Sequence, residues 1–340
     1  MLNHGKSAAL ACLYYKKTNR NLILAVKNRA GGNKKLVRKE FVVKQFVQAI
    51  KAALKKADKN VLEQWSTEPE ISEFSAVSVE RHFSAQQVMA SIQAFNDVHH
   101  WQQDSLHPCF AQFLGLSQHI DVLSHKHSPF PLMGLVHIEN TINQVSPLSP
   151  DKMHIRCYFG AIRPHRWGIA VDVMMDVRQG GSTCQTITST YLYRQASDVP
   201  VNQHANGSDT TAQAFTIAQP QSSPVSFCAT AGRRYARISG DYNPIHLYSW
   251  SAKLFGFKQA IAHGTHVLAR CVSVMILSTP FSNDKFTITN EFKYPVPLPC
   301  DLTLKHSLQN EETSKSISFE LCNLQATPRK QRVLCGRISN

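Results

Sequence analysis

The chain has 340 residues, of which 43% are hydrophobic and 18% are charged. This length has room for about two domains. No apolar stretch approaches the ~20 residues that a membrane-spanning helix needs, so an integral membrane segment is not expected. The net charge of +14 is concentrated in residues 1–60, which carry +13, whereas the rest of the chain carries +1. We therefore expect a nearly neutral body with a basic N-terminal extension.

The basic extension, residues 1–60, includes a predicted amphipathic helix. Its apolar stripe consists of Val43, Phe46, Ile50 and Leu54. Its polar side consists of Lys44, Gln48, Lys51 and Lys55. Such a helix can bind an anionic partner, namely lipid, nucleic acid or an acidic protein. The alternative is that these charges form the solvated face of a helix packed on the body, which is the usual role of a charge run.

The nine cysteines are scattered along the chain and show no Cys-x-x-Cys spacing. An odd number of cysteines in a large, core-forming chain favours reduced, buried thiols and a cytoplasmic location. Cys109, two residues after His107, is the local candidate for a catalytic Cys–His pair, and packing is the favoured interpretation.

Beyond residue 60 the chain repeats one pattern of predicted elements. In the first half, an apolar helix at about 109–123 precedes predicted strands at 133–145, 152–161, 168–177 and 182–194. In the second half, a helix at about 264–277 precedes predicted strands at 285–296, 302–308, 316–321 and 331–338. An antiparallel meander buries such a helix by curling around it, so an α+β fold with two similar units is predicted.

Composition sets the predicted domain boundaries. Residues 196–224 are rich in Ser, Thr, Asn, Gln and Pro and poor in large apolar residues, which is typical of a linker. We predict a basic extension at 1–60, a first domain at 61–198, a linker at 199–222 and a second domain at 223–340.

The most informative segment runs from Tyr235 to His246 and contains Asp241, Asn243 and Pro244 just before that histidine. Proline fixes its own φ and biases the preceding residue away from helix, so Asp241 and His246 are expected on irregular backbone. A bent polar segment can aim both side chains at one point, as an acid/base pair that shares one water requires. The structural alternative is a Gly-Asp turn followed by an Asn-Pro step, which is common in loops.

A second candidate element, Ile261-Ala-His-Gly-Thr-His266, opens the predicted second-half helix. Gly264 lies where this helix should begin, and a first helical turn offers unpaired N–H groups and positive potential. Glycine also lets a ligand approach the backbone closely, and close packing is the alternative. His263 and His266 have a spacing that could suit a metal. Because no Cys or carboxylate ligand set lies nearby, they are interpreted as packing or pocket wall, and no metal is expected.

The segment 235–252 resembles the hydratase-2 pattern of the MaoC-like dehydratases, the (R)-specific enoyl-thioester hydratases. That pattern reads aromatic-x-x-aliphatic-Ser-Gly-Asp-x-Asn-Pro-aliphatic-His, with a small residue six positions after the His. Its places are filled by Tyr235, Ile238, Ser239, Gly240, Asp241, Asn243, Pro244, Ile245, His246 and Ala252. The resemblance implies a double hotdog fold, in which a degenerate first hotdog precedes a catalytic second one.

The resemblance also implies a reaction and roles for residues. The expected reaction is reversible hydration of trans-2-enoyl thioesters to (R)-3-hydroxyacyl thioesters in fatty acid metabolism. The substrate partner would be an acyl-CoA or an acyl carrier protein thioester, and no cofactor is expected. Asp241 and His246 would hold and deprotonate the water, while the Gly264 N–H would bind the thioester oxygen. Asn243 would orient the loop or the water, with a purely structural role as the alternative. Substrate contacts are predicted for Ser239, Gly240, His263 and Thr265, and scaffolding is the alternative for Ser239.

The first half departs from this pattern. Its nearest counterpart, the segment 96–99, has neither Gly-Asp nor Asn-Pro. About 12 positions separate Asp97 from the next predicted helix, against 23 from Asp241 to Gly264. One active site, in the second hotdog, is therefore predicted, and Asp97 is interpreted as structural. The shortened segment is expected to leave space for the acyl tail, as in other two-domain members.

Two other functions are alternatives at this point. A hotdog thioesterase would need a carboxylate in or near the central helix, and residues 264–277 contain none. A non-catalytic hotdog that only binds acyl thioesters is disfavoured by the intact pair Asp241 and His246. Because a double hotdog contains the paired fold that single-hotdog relatives obtain by dimerising, a monomer is expected, with a homodimer as the alternative.

Overall fold

The computed structural model describes residues 77–132, 135–194, 217, 219–278, 284–310 and 315–340. The basic extension, its predicted amphipathic helix and most of the predicted linker lie outside the described residues. Within them, ten antiparallel strands form one sheet in the order β1-β3-β4-β5-β2-β7-β10-β9-β8-β6.

The first unit is a five-stranded sheet that faces short helices. Its strands are β1 (Ser78–Phe83), β2 (Leu135–Gln144), β3 (Met153–His165), β4 (Gly168–Gln179) and β5 (Ser182–Arg194). Its helices are α1 (Ala85–His99), α2 (Phe110–Leu114) and α3 (Leu116–Leu123). Ser84 begins α1 with a capping box, because its hydroxyl accepts from Gln87 N and the Gln87 side chain accepts from Ser84 N.

The second unit repeats this arrangement. Its strands are β6 (Gln221–Phe227), β7 (Phe286–Phe292), β8 (Cys300–Asn310), β9 (Lys315–Cys322) and β10 (Arg332–Ser339). Its helices are α4 (Ala231–Ser239), α5 (Ser249–Lys253) and α6 (Gly264–Ser278). The order β6-β8-β9-β10-β7 is the order β1-β3-β4-β5-β2 of the first unit, shifted by five strands.

The two units join through β2 and β7, which pair antiparallel with Asn140 opposite Asn290. Ten strands thereby form one continuous sheet with two helix-bearing units of the same topology. The predicted double hotdog of the α+β class is confirmed.

The central helix of the second unit is largely apolar and packs into the core. Leu268, Cys271, Val272 and Met275 of α6 are fully buried. Along β7, by contrast, Phe286, Ile288 and Asn290 are buried in alternation with more exposed residues, as expected for a strand that covers a core on one face.

The structure differs from the predicted elements in two respects. The apolar helix expected at about 109–123 is divided into α2 and α3 at Gly115, where a Cβ would lie 2.6 Å from Cε of Met175. Five further elements, β1, α1, β6, α4 and α5, were not predicted, and β6 begins at Gln221 inside the predicted linker. The domain boundaries stay a prediction.

The cysteines of the described residues carry free thiols, most of them buried. Burial raises the pKa of Cys109, which favours the packing interpretation over a nucleophilic thiol. None of the helices in the described part of the chain is long and apolar enough to cross a membrane.

Candidate active site

The backbone bends sharply between α4 and the candidate histidine. Gly240 ends α4 in the left-handed conformation, with φ 80°, and its N–H donates to Ala236 O. Three residues later, the Asn243 side chain caps a 3-10 turn, Pro244–His246, by accepting from Ile245 N at 3.3 Å. Asp241 and His246 therefore lie on irregular backbone, as predicted from Pro244.

Asp241 is held by three contacts. Its N–H donates to Ser239 Oγ at 3.2 Å, and its Oδ1 accepts from Asn243 N at 3.1 Å. His263 Nε2 contacts the backbone oxygen of Asp241 at 3.1 Å. The carboxylate keeps 21% of its side-chain surface exposed, so a small molecule can reach it.

His246 is oriented by a hydrogen bond at one of its ring nitrogens. Its Nδ1 lies 2.8 Å from Ile261 O. A carbonyl oxygen can only accept, so Nδ1 carries the proton and Nε2 of the neutral ring carries the lone pair. Burial lowers the pKa of His246, while the Asp241 carboxylate opposes this effect. The ring is therefore neutral near pH 7 and can act as a base at Nε2.

The candidate acid/base groups are spaced to share one water. Three atoms lie within 4.8 Å of one another: one carboxylate oxygen of Asp241, one ring nitrogen of His246 and one ring nitrogen of His263. Two atoms that hydrogen-bond one tetrahedral water at normal distances lie about 4.5 Å apart. This spacing suits a water held between Asp241 and His246.

The same three residues could be considered as metal ligands, but their ring geometry does not suit a shared ion. The rings of His246 and His263 are stacked, with centroids 3.7 Å apart and planes at 27°. An imidazole binds a metal in its own plane through a nitrogen lone pair, and the lone pairs of stacked rings do not converge. His263 Nε2 is also engaged with Asp241 O. Burial lowers the pKa of His263 to about 3, so its 3.8 Å contact with the Asp241 carboxylate is not an ion pair.

Gly264 is the first residue of α6, as predicted. Its N–H belongs to the first turn, where backbone donors have no partner within the helix and the dipole is positive. A Cβ at this position would lie 3.0 Å from Cε1 of Phe292, so the glycine also serves close packing. The two interpretations of this residue are compatible.

The other predicted site residues take supporting positions. Ser239 Oγ donates to Tyr235 O at 2.9 Å, and the Thr265 and Tyr235 hydroxyls are 3.0 Å apart. His266 is buried and stacks on Tyr235 at 5.0 Å, which is a packing role. Substrate contacts by Ser239, Gly240, His263 and Thr265 stay a prediction.

Three residues that support the turn were missed by the sequence analysis. A Cβ at Gly232 would collide with the carbonyl oxygen of His246, so only glycine lets α4 pack against the turn. Arg233 Nη1 donates to Leu247 O at 2.7 Å, and Ser251 Oγ donates to Pro244 O at 2.7 Å. These contacts are tertiary, and no local pattern in the sequence announces them.

The first-half counterpart is structural, as interpreted from sequence. Asp97 accepts from Gln93 within α1, and His99 Nδ1 bonds Phe95 O. Within the shortened segment, Trp101 and His107 are buried, with ring centroids 4.6 Å apart. The acyl space expected beside this segment stays a prediction.

Comparison with known proteins identifies the second half. Residues 212–327 match the family described as MaoC like domain. Over 172 residues, or 50% of this chain, the sequence is 31% identical to 3-hydroxyacyl-thioester dehydratase X of Mycobacterium tuberculosis. The matched part spans 59% of the length of that relative.

Solved structures show the same fold over a longer region. HtdX of Mycobacterium tuberculosis aligns with a TM-score of 0.59 and 23% identity, over 77% of this chain and 98% of that chain. A MaoC-like dehydratase from Phytophthora capsici aligns with a TM-score of 0.59 and 14% identity, over 77% of this chain and 93% of that chain. The segment with the candidate acid/base pair lies inside residues 212–327, the part of this chain that is similar to the MaoC like domain.

Proposed function

We propose that this chain is a hydro-lyase that reversibly hydrates trans-2-enoyl thioesters to (R)-3-hydroxyacyl thioesters. The observation that carries the proposal is the Asp241 carboxylate and the His246 ring within 4.8 Å, next to the first turn of α6. The similarity to a 3-hydroxyacyl-thioester dehydratase supports the same reaction class. The (R) configuration follows from the motif resemblance.

In the hydration direction, His246 is the base. A water bridging Asp241 and His246 gives a proton to Nε2 as its oxygen bonds to C3 of the substrate. The carboxylate of Asp241 orients the water and stabilises the imidazolium that forms. Ile261 O holds the ring in the tautomer that leaves Nε2 ready to accept.

The electrons displaced by the attack move to the thioester oxygen. As the C3–O bond forms, the C2=C3 π electrons shift towards C1, and the carbonyl oxygen gains negative charge. The Gly264 N–H, backed by the α6 dipole, would donate to this oxygen. When the enolate collapses, C2 takes the proton from His246. Hydrogen and hydroxyl therefore add from the same face.

A thioesterase reaction has less support. That reaction needs a carboxylate in or near the central helix to attack or activate water at the thioester carbon. Helix α6 contains no Asp or Glu. The Asp241–His246 pair precedes this helix and serves addition to C3 in our proposal.

The direct test of the proposal is the loss of enoyl-thioester ultraviolet absorbance with trans-2-enoyl-CoA, followed by chiral analysis of the product. We expect hydration to an (R)-3-hydroxyacyl-CoA. An (S) product would contradict the assignment of stereochemistry. Absence of hydration with both CoA and acyl carrier protein thioesters would overturn the proposed function.

The carrier and the role of residues 1–60 form a finer part of the proposal. Phosphopantetheine ends both carriers, and the basic extension suits an acidic carrier protein. Removing residues 1–60 should leave turnover of CoA esters unchanged and weaken turnover of acyl carrier protein esters. If truncation leaves the turnover of acyl carrier protein esters unchanged as well, the extension has no part in carrier binding.

A further inference from the structure

Three polar rings lie together inside the first hotdog. His137 of β2 and Tyr191 of β5 are opposite each other in the sheet, with ring centroids 4.7 Å apart. A register shift between His137 and Glu139 turns His137 inwards, while Glu139 approaches Arg163 on the outer face. His119 of α3 is near enough to His137 to interact with it electrostatically.

The two histidines have unsatisfied ring nitrogens. One nitrogen of His137 bonds the backbone of Glu139, and its Nε2 has no hydrogen-bond partner among the described residues. Neither ring nitrogen of His119 has a partner within that part of the chain. Burial lowers the pKa of His119 to about 4 and that of His137 to about 3, so both rings are neutral. Protein interiors rarely leave such atoms unpaired, and water or a polar ligand is needed to satisfy them.

This cluster borders on the candidate active site. Tyr191 and His137 keep some accessible surface. Burial raises the pKa of Tyr191, and the Asp241 carboxylate raises it further. On the other side, the ring of His137 lies 4.7 Å from that of Phe292, which packs at Gly264.

An acyl chain bound for hydration would meet these rings. With the carbonyl oxygen at Gly264, the acyl chain would pass Phe292, which packs at Gly264 and whose ring lies 4.7 Å from that of His137. A long alkyl chain would displace water from the polar atoms and leave them unpaired. A short chain leaves that water in place, and sites of this kind discriminate strongly between ligands.

We propose that His119, His137 and Tyr191 form a polar end wall of the acyl pocket, which makes the enzyme selective for short acyl chains. This inference rests on the proposed function and specifies its substrate class.

The test begins with kcat/KM of the full chain for trans-2-butenoyl-CoA, trans-2-octenoyl-CoA and trans-2-dodecenoyl-CoA. We expect a decrease of roughly tenfold or more from the shortest to the longest substrate. A flat or rising profile would overturn the inference while leaving the proposed function intact. If no thioester is hydrated, both fail.

The variant His119→Leu tests the wall directly, because it replaces a polar ring by an apolar side chain away from Asp241 and His246. The ratio of kcat/KM for dodecenoyl-CoA to that for butenoyl-CoA should rise roughly tenfold. Tyr193→Phe is the matched control, since Tyr193 lies on the same strand and packs against Phe130. An unchanged ratio in folded His119→Leu protein would sink the proposal.

A binding measurement covers the case in which His119→Leu does not fold. Wild-type protein should bind butyryl-CoA at least as tightly as lauroyl-CoA, because only the short chain leaves the wall hydrated. Tighter binding of lauroyl-CoA by wild type would contradict the inference without any variant.

Discussion

The connections that follow α1 and α4 show how one fold produces packing in one half and a site in the other. Both helices end on a left-handed residue, His100 with φ 56° and Gly240 with φ 80°. From His100 the chain begins α2 ten residues later, whereas from Gly240 it reaches α6 after twenty-four. Only the longer connection can bend back, carry a 3-10 turn and α5, and aim Asp241 and His246 at one point.

The two halves also meet through buried imidazoles. Ring contacts run from the first hotdog to the second through His107, His99, His266, Tyr235, His263 and His246. In the first half, His99 and His107 pack and hydrogen-bond to the backbone, whereas at the other end of the series His246 has a water-accessible carboxylate beside it. Residue type alone therefore does not distinguish a core histidine from a candidate base.

The largest difference in hydration rate is expected between the replacement of Asp241 and the replacement of Asp97, its counterpart in the first half. Asp241→Asn should lower the hydration rate by about 10²–10⁴-fold, because it removes the charge that orients the water and stabilises the imidazolium of the base His246. Asp97→Asn is the matched control and should leave the rate unchanged, since Asp97 only accepts from Gln93 on α1. Steady-state kinetics on one enoyl-CoA decides this. A comparable loss in both variants would contradict the assignment of one site to the second hotdog.

A glycine in each half should respond differently to an added methyl group. Gly232→Ala pushes against the His246 carbonyl and should lower turnover by about 10²-fold through misplacement of the turn. Gly115→Ala meets the flexible end of Met175 and should change the melting temperature more than turnover. Activity and thermal unfolding of both variants test this pair. Full activity in folded Gly232→Ala protein would mean that the turn does not need this contact.

A smaller effect is expected from the imidazole stacked under His246. His263→Phe keeps an aromatic ring but loses the hydrogen bond to Asp241 O, so kcat should fall about tenfold with little change in KM. His266→Phe, which alters packing on Tyr235, serves as the control and should retain kcat. An unchanged kcat in His263→Phe would remove any positioning role.

The buried histidines should make the whole fold sensitive to acid. Burial lowers the pKa of His99 and of His263 to about 3, below the value of about 6.5 expected in the unfolded chain. The unfolded state therefore takes up protons first as the pH falls below about 6.5. Stability is fully present above that pH and decreases by about 1.4 kcal/mol per pH unit for each such histidine below it. Urea unfolding across this range should show this dependence of the free energy of unfolding on pH. The variant His99→Phe should reduce the slope by the contribution of one histidine, about 1.4 kcal/mol per pH unit.

Much of the fold could be predicted because its signals are local. Alternation along the strands and the largely apolar helix α6 follow from spacing alone, and α6 begins at Gly264 as expected. Helix α4 escaped prediction because three arginines within its nine residues obscure its buried face, which includes Tyr235 and Ala236. The division at Gly115 depends on Met175, sixty residues away in sequence, and cannot be deduced locally.

The candidate site divides in the same way. Asp241, His246 and Gly264 could be named because proline geometry and one short motif mark them. The tautomer of His246 depends on Ile261 O, and the stack with His263 depends on how the loop returns to α6. The inward position of His137 depends on a bulge in β2. Such features arise only from tertiary structure, so sequence patterns carried no sign of them.

The central claim is that Asp241 and His246 hold one water for addition to C3, and its most direct test is the position of oxygen from labelled water in the product. The protein would be incubated with a trans-2-enoyl-CoA in heavy-oxygen water, and the product analysed by mass spectrometry and by chiral separation. We predict label in the C3 hydroxyl of an intact (R)-3-hydroxyacyl thioester. Label in a free carboxylate, released by hydrolysis of the thioester, would contradict the account and favour a thioesterase.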